Sequence, residues 1–130
     1  MTEEEVPVDR ESAAAVAAAL RGASPLAARM VDEHEQYFDE VLSTILLAEV
    51  ARWYRDALTS DSPDDAVGTV AALAELYVRG DDGVETVIVT GFLEALPHDG
   101  EADRWVVEQL PTVLREELRK MEEWRPSTAP

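Results

Sequence analysis

Apolar residues in this chain recur three and four positions apart, the spacing of helices buried on one side. Between Asp9 and Arg21 the stripe is thin, made of Ala13, Val16, Ala17 and Leu20 within two alanine runs. Alanine is the strongest helix former, and Gly22 supplies a stop. Ser24-Pro25 predicts the next start, because serine offers an oxygen to the first free amides and proline lacks an N–H where none is needed. That helix places Leu26 and Met30 on its apolar side, with His34 a further candidate, and either runs on or bends into the next segment. Phe38 to Leu58 carries the strongest pattern, with Phe38, Val41, Leu42, Ile45, Leu46, Glu49 and Trp53 in register and Leu47, Val50 and Tyr54 widening the face. It is expected at the centre of the fold. Thr59 to Pro63 ends it with polar turn residues and a proline.

A further helix is expected from Asp64 or Asp65 to about Arg79, with Val67, Val70, Leu73, Ala74 and Tyr77 inward, followed by a turn at Gly80-Asp81-Asp82-Gly83. Val84 to Thr90 is rich in β-branched residues and could form a strand. Yet Val84, Val87, Ile88, Gly91, Phe92 and Leu96 share one helical face, and a lone strand would find no partner elsewhere in the chain. A helix is therefore expected, with Asp81 or Asp82 at its start and Gly91 admitting a close neighbour. After a loop at Pro97-His98-Asp99-Gly100 come a short helix over Glu101–Leu110 and a last one opened by Pro111. The latter runs to about Glu123, with Leu114, Leu118 and Met121 inward and Trp124 across its end. Residues 1–8 read as a flexible acidic arm and 125–130 as a loose tail. With no repeat and no linker, the expectation is one domain over 1–130. It is all-α, a single compact bundle of six to seven short helices in irregular or orthogonal packing.

Charge changes the picture most. The 130 residues include 28 acidic and 11 basic side chains, for a formal net charge of −17, and no cysteine. Phosphate backbones and anionic membrane surfaces repel such a body, so neither nucleic acid nor a membrane is an expected partner, whereas a basic protein would be steered in. No apolar run approaches the ~20 residues of a membrane span, and the first residues are acidic where a secretory leader is basic. A cytoplasmic location is the expectation. Ten arginines to one lysine and abundant alanine resemble a GC-rich bacterial coding bias.

Catalytic chemistry is sparse. There is no Gly-rich phosphate loop, no Gly-x-Ser-x-Gly elbow and no thiol. His34 and His98 alone titrate near neutrality; both are expected at the surface or its boundary. The densest feature is the acidic stretch from Asp32 to Glu40, where Arg29, Asp32, Glu35 and Asp39 fall near one helical face. A carboxylate-lined cation site is one reading. Helical nucleotide pyrophosphatases pair Glu-x-x-Glu with Glu-x-x-Asp one helix later; Asp32-x-x-Glu35 offers half of this, and Glu49 is followed three residues on by Arg52. Glu49 lies in the most apolar part of the chain and must be paired if buried, with Arg52 the expected structural ion-pair partner.

Leu47-Ala48-Glu49-Val50-Ala51-Arg52-Trp53, Gly91-Phe92-Leu93-Glu94-Ala95-Leu96 and Leu110-Pro111-Thr112-Val113-Leu114-Arg115-Glu116-Glu117-Leu118, in that order, resemble a family of small uncharacterised acidic all-helical bacterial domains. The resemblance spans roughly residues 30–124. Such proteins are similar in size, acidity and helix content to immunity proteins that neutralise a toxin, and the resemblance implies no catalytic residue.

The functional expectation is a non-enzymatic, cofactor-free, immunity- or antitoxin-like protein that occludes a basic partner such as a nuclease toxin. Ten acids face two bases between Val31 and Ala66. The candidate contact residues are Asp32, Glu33, Glu35, Asp39 and Glu40, a second patch at Asp61, Asp64 and Asp65, and Tyr37 or Trp53 as an aromatic anchor. Two alternatives are a metal-dependent all-α phosphohydrolase built on the Asp32–Asp39 carboxylates and a homo-oligomeric scaffold, the simplest form being a homodimer.

Overall fold

The computed structural model describes residues 5–60, 63–96 and 100–124. Among them the chain forms seven helices and no strand: α1 (Glu5–Ala23), α2 (Pro25–Phe38), α3 (Ser43–Leu58), α4 (Asp64–Arg79), α5 (Asp82–Val87), α6 (Gly100–Glu108) and α7 (Thr112–Trp124). A π-helical segment, Ile88–Leu93, continues α5 without a break. The fold is the expected all-α bundle. Helix α1 begins inside the stretch read as an arm. Met1 to Glu4, the tail from Arg125, and the candidates Asp61 and His98 lie outside the described residues.

Local chemistry sets several helix ends. Ser24 adopts an extended backbone and its Oγ accepts the Ala27 amide at 3.0 Å, capping α2 ahead of Pro25. The same hydroxyl lies 3.3 Å from Thr69 Oγ1, and Thr69 donates its one proton to the Asp65 carbonyl at 2.7 Å. Ser24 is therefore the donor in the Ser24–Thr69 bond, which ties the start of α2 to α4. Asp81 Oδ1 accepts the Val84 amide at 3.0 Å and opens α5. Neither Asp64 nor Asp65 caps α4; Pro63 occupies that position without a side-chain bond, and the two acids stand in the positive first turn.

The expected central helix from Phe38 divides in two. Asp39 adopts the left-handed conformation (φ 64°, ψ 8°) and its amide bonds to the Glu35 carbonyl at 2.7 Å, closing α2. Helix α3 starts afresh at Ser43, so its buried stripe is Leu46, Leu47, Val50, Ala51, Tyr54 and Leu58. Ile45 is exposed and Trp53 half-buried, because the residues expected to widen the face lie at its middle. Similar rotations expose Leu26 on α2 and Val67 on α4, where Ala66 and Thr69 turn inward instead.

Helix α3 packs against the π-helical segment, while α1 lies against α2, α4 and α5. The Glu94 amide bonds to the carbonyl of Val89, five residues back, at 3.0 Å. The wider π turn lets Ile88, Gly91, Phe92 and Leu93 all face inward. A Cβ at Gly91 would stand 2.9 Å from Thr44 Cα and 3.0 Å from Leu47 Cβ, so the missing side chain is what lets the segment sit on α3. Tyr54 and Phe92 meet across this contact with ring centroids 6.0 Å apart.

Candidate functional site

The break between α2 and α3 builds the most distinctive polar arrangement in the molecule. His34, expected at the surface, is 3% exposed, with its side chain fully covered. The left-handed turn at Asp39 brings the chain back past the imidazole, and the Leu42 amide donates to His34 Nε2 at 3.0 Å. Leu42 is the N-cap residue of α3, so the imidazole serves a free amide at a helix start, as a carboxylate does in a capping box. An imidazole nitrogen that accepts an N–H carries no proton. The neutral ring's proton is therefore on Nδ1.

Nδ1 is buried and has no hydrogen-bond partner among the described residues. The residue borders a cavity of about 280 Å³ lined by Met30, Glu33, His34, Tyr37, Phe38 and Glu49, but its imidazole stays covered. Glu49 Oε1 lies 3.6 Å from Nδ1, beyond a good hydrogen bond, and the Glu49 side chain is one-third exposed. Phe38 stacks at a tilt on the imidazole (4.7 Å between centroids), and Tyr37 meets Phe38 edge-on at 4.7 Å. Tyr37 itself is 82% exposed. The result is a pocket lined by Met30 and Phe38, the carboxylates of Glu33 and Glu49 and the exposed ring of Tyr37, with the imidazole covered beside it.

The acidic stretch is thus not one surface. At about 100° per residue, Met30, Glu33, His34 and Tyr37 share one side of α2, while Asp32, Glu35 and Asp39 lie on the opposite side. There Arg21 of α1 donates to Asp32 at 2.9 Å and to Glu35 at 2.7 Å. Those hydrogen bonds hold the guanidinium above its ordinary range, Asp32 contributing most. Two of the expected partner-binding carboxylates are therefore already engaged within the chain. Glu33 pairs with no basic group among the described residues, and Glu40 is exposed. Trp53 packs against the core rather than lining the pocket, and neither Asp64 nor Asp65 contributes to it.

Glu49 does not form the expected ion pair with Arg52 among the described residues; Arg52 is exposed and Glu49 turns to His34. The reason is helix phase, since α3 aims position 49 at α2 and position 52 at solvent. Also among the described residues, no group of three or more His, Asp or Glu side chains is placed to hold a metal ion. Arg21 occupies Asp32 and Glu35, and His34 cannot ligate through Nδ1 while its other nitrogen accepts an amide. Sequence reasoning missed His34 and Phe38 as pocket residues. A signal was present, for Met30, His34 and Phe38 are spaced four apart on α2.

A second, open groove of about 970 Å³ runs along the alanine side of α1, opposite Val41 to Ile45, with Arg21 and Glu35 among its lining. Among the described residues no helix is long and apolar enough to cross a membrane.

The chain belongs to a family described as a domain of unknown function (DUF7674), whose model matches residues 17–125. No curated protein and no solved structure matches the chain.

Proposed function

We propose that this protein is a non-catalytic binding protein that engages a basic protein partner on the Glu33–Tyr37–Glu49 side of α2. The observation that carries the reading is the pocket itself, which is lined by the carboxylates of Glu33 and Glu49 with no Arg or Lys paired to them among the described residues. A surplus of negative charge over the whole chain would draw such a partner in, and an exposed tyrosine beside a partly apolar pocket suits an anchoring contact. In the finer form of the proposal the partner is a toxin whose basic active surface this protein covers, and the protein acts as an immunity factor or antitoxin.

The test is affinity capture by the wild-type chain and by a Glu33→Lys/Tyr37→Ala variant, two exposed positions whose replacement leaves the core untouched. A basic protein retained by the wild type, lost from the variant and released by about 0.5 M salt is expected. Equal capture by the variant sinks the proposed face. For the finer form, co-expression must rescue growth of cells producing the captured protein.

A further inference from the structure

We propose that the corner between α2 and α3 is an acid-sensitive latch: neutral His34 holds it closed, and a second ring proton turns the imidazole from Leu42 to Glu49 and frees it. The inference is independent of what binds on the Glu33–Tyr37–Glu49 side. Proton arithmetic at one ring carries it. The neutral imidazole has a single lone pair free to accept, on Nε2, and the Leu42 amide occupies it at 3.0 Å. A second proton can bind only there, so protonation and the Leu42 bond exclude each other. The neutral ring also leaves Nδ1–H without an acceptor in a fully covered side chain. Glu49 Oε1 stands 3.6 Å from Nδ1, and a movement of about 0.8 Å makes a charge-assisted bond of about 2.8 Å. One bond is given up and a stronger one gained, so each protonation state has its own partner.

The proton releases the corner. Asp39 to Leu42 has no regular structure, and the Leu42 amide ties it back to α2. The Leu42 carbonyl accepts the Leu46 amide at 2.9 Å, so the start of α3 moves with it. Helix α3 presents Glu49 to the ring, α2 itself places Glu33 and Tyr37 on the adjoining cavity, and the corner carries exposed Asp39 and Glu40. Helix α1 contributes Arg21, which is engaged by Asp32 and Glu35 on the opposite side of α2. Helix α4 bonds to α2 at Ser24, about 15 Å along the helix from His34. Among these groups His34 is the one that holds the Leu42 amide.

The test is an NMR titration of the full chain carrying His98→Gln, which leaves His34 as the only histidine, from about pH 8 to about pH 5. The ring nitrogens are expected to pass from the Nδ1–H tautomer to the doubly protonated form. At the same midpoint the Leu42 amide should shift and its hydrogen-exchange protection factor fall about tenfold, as loss of one buried bond allows. The Ala27 amide, capped by the non-titrating Ser24 hydroxyl, is the reference and should keep its protection. In His34→Gln the side-chain oxygen still accepts the Leu42 amide but does not titrate, so the step at Leu42 should vanish. A doubly protonated His34 with the Leu42 amide unmoved and protected overturns the latch. So does a ring that stays neutral down to the pH at which Ala27 loses protection with the whole fold. A step at Leu42 that persists in His34→Gln assigns it to the carboxylates and overturns it equally. Should His34→Gln fail to fold, the coincidence or separation of the ring and Leu42 midpoints in the His98→Gln chain still decides.

Discussion

Replacing glycine with alanine should have opposite effects at two helical positions of this protein. In an open helix interior the change stabilises by about 0.5–1 kcal/mol, because alanine loses less backbone freedom on folding. Gly68 in α4 is such a site, exposed and with nothing within 4 Å of a built Cβ. Gly91 gains the same propensity, but its Cβ would meet Thr44 Cα at 2.9 Å, Leu47 Cβ at 3.0 Å and the Thr44 carbonyl oxygen at 3.1 Å. Two of these three atoms are backbone, so no rotamer change relieves the contact. Helix α3 and the π segment must separate by several tenths of an ångström, and Tyr54 and Phe92 lose packing with them. Overpacking of this kind costs about 1–3 kcal/mol. The net expectation is a loss of about 1–2 kcal/mol for Gly91→Ala against a gain of about 0.5–1 kcal/mol for Gly68→Ala. Urea unfolding followed by circular dichroism reads both, as shifts of the midpoint at constant slope. Thermal midpoints should move in opposite directions, by roughly 4 °C per kcal/mol at this size. A Gly91→Ala variant as stable as the wild type would refute the close approach of the π segment to α3.

Other expectations rest on single contacts. Ser24→Ala removes the α2 cap and leaves Thr69 without its donor, and should cost about 1–2 kcal/mol in the same unfolding assay; an unchanged midpoint means the cap contributes nothing. Asp39→Gly relieves a left-handed residue and should be neutral or stabilising by up to about 1 kcal/mol, whereas Asp39→Val should destabilise clearly. Burial raises the Tyr54 phenol to about 12, and burial followed by the hydrogen bond to Glu117 raises Tyr77 to about 12. Both folded values exceed the unfolded value near 10, so the stability they contribute is complete below pH 10 and is lost as pH climbs toward 12. Ultraviolet titration should show Tyr54 and Tyr77 ionising late, with unfolding stability falling over the same range; ionisation of these two near pH 10 would contradict their burial.

Much of the architecture can be read from local signals. Ser24-Pro25, the aspartates after Gly80 and the three-four spacing of leucines and valines act within one or two turns, so their consequences for helix starts and helix type need no knowledge of neighbours. The choice of helix for Val84 to Leu96 over its β-branched composition, and the role of Gly91, were likewise accessible. The site was not. Whether Phe38 ends one helix or opens another depends on the left-handed turn at Asp39, and that turn fixes the phase of every residue in α3. Phase then decides that Glu49 meets His34 rather than Arg52, and that Leu47 rather than Ile45 is buried. The division of the acidic stretch between Arg21 and the pocket needs α1 in place alongside α2. Periodicity tells which residues share a face, but the direction of that face is set by packing between elements far apart in the chain. A buried histidine with one nitrogen serving a helix start and the other covered beside Glu49 is a product of that packing alone.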